Sequence, residues 1–217
     1  MKTKNHHTTD GLKRPCRVAA LAVLALVLAG LGGFLAGCVP TAVHPFYQTG
    51  DLIQDPDLLG SWKSADGKSR WNFTSGQDKS YKLELQADDL RVVCVAHLFK
   101  LGNGRFLDLY PEEGALGANL KNNPYNVGLI PAHVILMVRA TSPTLRMSSM
   151  GMDWLKQQIN RDPKVTAHLL LPDGRVVLSG ETGALQAFIR SHINDADAWN
   201  GMYEDGLIRV GAKSSDQ

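Results

Sequence analysis

Two hydrophobic patterns divide the chain. From Val18 to Val39 apolar residues run almost without a polar break, whereas from Leu58 onward they alternate with polar ones. Alternation at a period of two places successive side chains on opposite faces of a strand, and a strand with one wet face shows it most cleanly. Tyr81, Leu83 and Leu85 against Lys82, Glu84 and Gln86 are the clearest case. The pattern predicts strands over 59–63, 69–74, 80–87 and 90–101, punctuated by Asp66-Gly67, Gly76 and Asp88-Asp89. Gly102-Asn103-Gly104 supplies a hairpin turn before a strand over 105–110. Two more strands are predicted over 132–140 and 144–149, and Pro172-Asp173-Gly174 turns a hairpin between 165–171 and 175–179. The total is about nine strands.

Two helices break this series. The first is predicted over 152–160, ending before Arg161-Asp162-Pro163. In the second, Leu185, Phe188, Ile189 and Ile193 recur at helical spacing after Thr182, the expected N-cap, so one apolar stripe can lie on a sheet or barrel wall. Residues 111–131, rich in Gly and Asn, are expected to form a long surface connection. Residues 39–56, with three prolines and no periodicity, read as a spacer.

The apolar run at the start has a defined grammar. Lys2, Lys4, Lys13, Arg14 and Arg17 precede it, and Leu35-Ala36-Gly37-Cys38 closes it. A basic region, an apolar region and a small-residue processing site follow each other in the order of a secretory signal. Together they resemble a bacterial lipoprotein precursor with its lipobox. The resemblance implies cleavage before Cys38 and acylation of its thiol, and more than one acyl chain anchors a protein stably. The implied organisation is a signal peptide over 1–37, a lipidated tether over 38–56, a β-rich domain over 57–200 and a tail over 201–217. Val39 stands where such proteins would carry Asp as an inner-membrane retention signal, which tilts the expected location towards the outer membrane.

Removing residues 1–37, which hold five Lys/Arg and one Asp, takes the totals of 23 basic and 21 acidic residues to 18 and 20, a formal net of −2. The basic balance therefore belongs to the signal. The remaining chain has no run of Lys/Arg interleaved with aromatics, which excludes the usual electrostatic footprint of a nucleic-acid binder. With Cys16 in the signal and Cys38 acylated, Cys94 stands alone and no disulfide framework is expected. The fold must rest on its core.

Gly60-Ser61-Trp62, after the turn Pro56-Asp57-Leu58-Leu59, resembles the Gly-x-Trp start of lipocalins and related calycin barrels. The resemblance implies that Gly60 lets the chain turn into a barrel and that Trp62 plugs its closed end. The basic partner that this family carries on a late strand has no assigned position here. Leu59-Gly60-Ser61-Trp62, Ala96-His97-Leu98-Phe99-Lys100-Leu101, Phe106-Leu107-Asp108-Leu109-Tyr110-Pro111 and Asp153-Trp154-Leu155 also resemble an uncharacterised group of bacterial lipoproteins, which implies a location and no chemistry.

Candidate chemistry is sparse. Ala96-His97-Leu98, Ala132-His133-Val134 and Ala167-His168-Leu169 each set a histidine inside a predicted strand, 36 and 35 residues apart. Three histidines with an open fourth position can lower the pKa of zinc-bound water, with Asp108 or Glu181 as outer partners. No His-Glu-x-x-His fixes two ligands on one element, and structural histidines are the plainer reading. Cys94, inside Val92-Val93-Cys94-Val95, reads as a small core residue. Met147-Ser148-Ser149-Met150-Gly151 lacks the glycine before the serine that a nucleophile elbow needs. Asp108 is odd because it shares a strand face with Phe106 and Tyr110, and a buried hydrogen-bonded carboxylate is expected.

The expected fold class is mainly β, a calycin-like antiparallel barrel or curved sheet with one or two packed helices. The expected function is non-catalytic: a membrane-tethered module binding an apolar small molecule or lipid, without a cofactor. The alternatives are a metal-dependent hydrolase built on His97, His133 and His168, and an envelope assembly factor presenting Trp154, Trp199 and the Gly-rich loop.

Overall fold

The computed structural model describes residues 39–87, 90–112, 131–200 and 206–211. Eight strands close into an antiparallel barrel: β2 (Gly60–Lys63), β3 (Ser69–Ser75), β4 (Ser80–Ala87), β5 (Leu90–Leu101), β6 (Gly104–Pro111), β7 (His133–Ala140), β8 (Thr144–Ser149) and β11 (Leu207–Arg209). Each pairs with the next, β8 pairs with β11, and β11 returns to β2. The calycin-like barrel expected from the pattern is the observed architecture.

Three short strands extend the sheet from β7. β1 (Thr41–Ala42) pairs with its first residues, β10 (Val176–Leu178) runs parallel to β1, and β9 (His168–Leu170) pairs with β10. The hairpin around Pro172-Asp173-Gly174 is present, but its strands are shorter than predicted and lie outside the barrel. Leu169 and Leu170 face solvent there, so nothing rewards further pairing. Among the described residues there are 11 strands, the additional ones being β1 and β11. Both fall in segments assigned above to tether and tail. Each is only two or three residues long, too short to show a period, and is held by its tertiary partners.

Two helices lie outside the barrel: α1 (Met152–Arg161) and α2 (Thr182–Ser191). The α2 stripe is as predicted, with Leu185, Phe188 and Ile189 buried. Its cap is not. Glu181 holds the N-cap position, and the Thr182 hydroxyl donates instead to the Pro45 carbonyl at 2.8 Å.

The two faces of the barrel wall explain the two kinds of strand sequence. β3 and β4 turn alternate residues to solvent and read as clean alternation. β5, β6 and β7 are covered on both sides. Ala96, Leu98, Leu107, Leu109, Leu136 and Val138 join the interior cluster, while Phe99, Leu101, Phe106, Ile135 and Met137 join the outer one. Hence the near-continuous apolar runs of these strands. The stretch read as a spacer lies over the same outer face, burying Ala42, Phe46 and Leu52. No helix of the described residues is long and apolar enough to cross a membrane. Cys38, the signal, the greater part of the Gly-rich connection and the last residues of the tail lie outside the described residues.

Candidate functional site

The chain enters the barrel through a 3-10 turn at Pro56–Leu58, whose Leu58 is buried in the interior cluster. Gly60 follows with φ of 108°, and a Cβ there would meet Arg209 Nη1 at 2.9 Å, so both conformation and space call for glycine. Trp62 is fully buried and its Nε1 donates to the Leu58 carbonyl at 3.0 Å. The Arg209 guanidinium lies 4.2 Å from the Trp62 ring centroid, donates through Nη1 to the Leu59 carbonyl at 2.7 Å, and through Nη2 to the Asp57 carbonyl. Arg209 is thus the basic partner of Trp62, on a strand that the sequence reading leaves in the tail. Asp55 secures the same entry: its Oδ2 accepts from Arg105 Nη1 at 2.7 Å and from Thr141 Oγ1 at 2.9 Å. Burial opposes ionisation of Asp55, but the bonds from Thr141, the Asp57 N–H and Arg105 outweigh it and hold the carboxyl below its usual range.

The interior itself is occupied by side chains. Trp62, Trp71, Phe73, Leu83, Leu98 and Leu107 are all nearly or fully inaccessible. Their polar atoms have internal partners, with Trp71 Nε1 donating to Ser69 Oγ at 3.0 Å and the Tyr81 hydroxyl donating to the Asp55 carbonyl at 3.2 Å. Ser149 Oγ, buried at the end of β8, is an exception.

The histidines behave unequally. His97 sits directly opposite Asp108 on β5 and β6, and His133 reaches the same carboxylate from β7. Asp108 is fully buried on the outer wall, where its Oδ1 lies 2.7 Å from His133 Nδ1 and its Oδ2 accepts from the Phe46 N–H at 2.9 Å. Tyr47 covers His97, with ring centroids 4.5 Å apart, and Tyr110 covers His133 at 4.4 Å. Burial lowers the His97 pKa; the Asp108 charge works against that and His133 works with it. Burial, and then Asp108, raise the Tyr47 phenol.

His168 does not join them. The pairings His168 to Leu178, Leu178 to Ala42 and Ala42 to His133 place it three strand spacings from His133, roughly 14 Å. Its Nδ1 lies 2.9 Å from the Thr166 carbonyl oxygen. Glu181 meets His44 at 3.6 Å instead. The three-histidine expectation is therefore corrected: among the described residues no three His, Cys, Asp or Glu side chains converge to hold a metal ion. Strand registry decides this, because similar sequence spacing does not put residues on neighbouring strands.

The His133–Asp108 pair resembles the orienting half of a catalytic triad, yet among the described residues neither the His97 nor the His133 ring has a serine, threonine or cysteine as hydrogen-bond partner. Its visible work is to fasten the Phe46–Tyr47 segment to the wall. Cys94 is free and buried, and burial, with a smaller push from Glu112, raises its thiol to about 11, far from a nucleophile's range. Trp154 and Trp199 are buried, not displayed: their indole N–H groups donate to Asp195 Oδ2 at 3.1 Å and to the His192 carbonyl at 3.0 Å. The two tryptophans expected on a partner surface thus serve the outer core, while the greater part of the Gly-rich loop expected beside them lies outside the described residues.

Among the described residues, a concavity lies on the outside of the barrel. Its volume is about 410 Å³, and Ser61, Arg70, Asn72, Glu84, Gln86 and Arg91 contribute to its lining. These are the polar halves of the alternating strands β2, β3 and β4, with the start of β5. Comparison with family models, with curated proteins and with solved structures finds no match to this chain.

Proposed function

We propose that this protein is an exported, lipid-anchored envelope module that binds a small molecule without transforming it and does so on the outer wall of its barrel. Supporting the anchor is the order of basic region, apolar run and Leu35-Ala36-Gly37-Cys38. Val39 favours the outer membrane. The observation that carries the binding reading is the contrast between a barrel axis filled by Trp62, Trp71, Phe73 and Leu83 and a concavity on the outside lined by Arg70, Asn72, Glu84 and Arg91 together with the apolar Leu85 and Val210. An eight-stranded barrel is just wide enough to hold either packed side chains or one small ligand. An apolar ligand on the axis would have to displace those aromatic rings. A ligand on the outer wall displaces only water.

Native mass spectrometry of the full chain extracted in detergent tests this reading. A co-purifying adduct is expected to disappear in Asn72→Trp, which fills the outer concavity, and to persist in Leu83→Val, which alters only the interior. The reverse pattern would return the ligand to the barrel axis and overturn the outer-wall reading. Labelled palmitate is expected on the wild-type chain and absent from Cys38→Ala, which keeps its uncleaved apolar run and migrates as the longer precursor; retained label would overturn the anchor.

A further inference from the structure

We propose that the outer-wall concavity is a site for a phosphate-bearing small molecule; this rests on the outer-wall reading above and names its chemistry. Strand registry builds what no local stretch of sequence contains. Lys63 on β2 is directly opposite Arg70 on β3, Arg70 opposite Gln86 on β4, and Gln86 opposite Arg91 on β5. The neighbouring row on the same face is Ser61, Asn72 and Glu84. Three cations thus share one cross-strand row, of which Arg70 and Arg91 line the concavity and Lys63 continues the row beyond it, and Glu84 is the one carboxylate among the described residues that lines it, in a mature chain whose net charge is −2.

Like charges directly opposite each other destabilise a sheet unless something neutralises them. Arg91 has Glu84, Nη2 to Oε2 at 3.0 Å. Lys63 and Arg70 have no carboxylate partner among the described residues. The polar neighbours add donors: Ser61 Oγ donates to Asn72 Oδ1 at 2.8 Å, which leaves the Asn72 amide N–H groups to face a ligand, and Gln86 stands between the arginines. An array rich in donors and poor in acceptors suits a group that only accepts. A phosphate offers three acceptor oxygens and close to two charges, more than a carboxylate, and arginine forks match it in bidentate fashion. The volume falls within the range of about 300–1,000 Å³ usual for small-molecule sites. Because all these residues stand on paired strands, the backbone spacing of the row is fixed.

The test is calorimetric titration of the full chain in neutral detergent with glucose 6-phosphate, inorganic phosphate and glucose, and with the water-soluble headgroup glycerophosphoglycerol. Saturable binding of a phosphate-bearing probe is expected, with none of glucose, weakening as salt rises and falling about tenfold or more in Arg70→Ala. Tighter binding of glucose 6-phosphate or inorganic phosphate would identify a free metabolite as the source, and tighter Arg70-dependent binding of glycerophosphoglycerol a lipid headgroup; either supports the site. Absence of binding up to about 10 mM, or affinity unchanged in both Arg70→Ala and Arg91→Ala, overturns it. An adduct that still disappears in Asn72→Trp would then leave the outer-wall reading standing and remove only the phosphate.

Discussion

Strands β5, β6 and β7 are shared by two hydrophobic layers that are held together differently. Inside the barrel, Trp62, Trp71, Phe73, Leu83 and Leu98 meet from strands close in sequence, and their polar atoms are satisfied by neighbours or by the turn that enters the barrel. Outside, Phe46, Phe99, Phe106, Trp154, Phe188 and Trp199 come from distant segments, and a buried carboxylate sits beside them. The inner layer needs shape. The outer layer also needs direction, because the Phe46 N–H and the His133 ring must both find Asp108, and Gln186 must reach the Phe46 carbonyl at 3.1 Å and Asp51 Oδ2 at 2.7 Å. Polar bonds at fixed geometry are what hold an irregular segment in one place on an otherwise slippery apolar wall.

Four measurements can break or sharpen this contrast. Trp62→Ala removes the largest interior anchor and is expected to cost about 4 kcal/mol in urea unfolding; a loss below about 1 kcal/mol would show that the inner layer is not the rigid one. Asp108→Ala leaves the Phe46 N–H and His133 without their partner, with an expected loss of about 3 kcal/mol. Its distinguishing mark is hydrogen exchange: the Phe46 amide loses protection in Asp108→Ala, while amides of β3 and β4 keep theirs. Arg209→Met keeps bulk over Trp62 but deletes two carbonyl contacts, for about 2 kcal/mol, and equal loss in a Trp62→Leu background would deny that the two residues act as a unit.

The smallest effect is a pH dependence. Burial depresses the folded-state pKa of His97 and, on the other flank of the outer layer, of His192, where the Asp195 charge only partly opposes it. A depressed group takes up its proton more readily in the unfolded chain. Stability is therefore full above the ordinary histidine value of 6.5 and falls as the pH drops below it towards the folded-state value. Urea midpoints at pH 8 and pH 5.5 are expected to differ, with a smaller difference in the His97→Asn, His192→Asn double variant. An unchanged difference would place the proton uptake elsewhere.

Legibility in the sequence follows the same division. Alternation in β3 and β4, the turn residues and the helical stripe of α2 are local signals, and the barrel follows from them. Asp108 stands out by its company on a face with Phe106 and Tyr110 and as an outer partner for the histidines, of which His133 meets it; the Phe46 N–H, 62 residues away, leaves no local sign. β1 and β11 are too short to carry a period, so Arg209 and the Thr41–Ala42 pairing were invisible to local reading. The cationic row had no local signature either: Lys63, Arg70 and Arg91 are scattered along the chain, and only the register Lys63 to Arg70 to Gln86 to Arg91 lines them up.

The early pairing of Thr41 has a mechanical consequence. With Cys38 acylated as proposed, only two residues, Val39 and Pro40, separate the lipid-bearing cysteine from the first strand, a leash of at most about 10 Å. Such a mooring keeps the barrel within reach of the headgroups and restricts its tumbling, so its encounters become a two-dimensional search in which partners must also hug the bilayer.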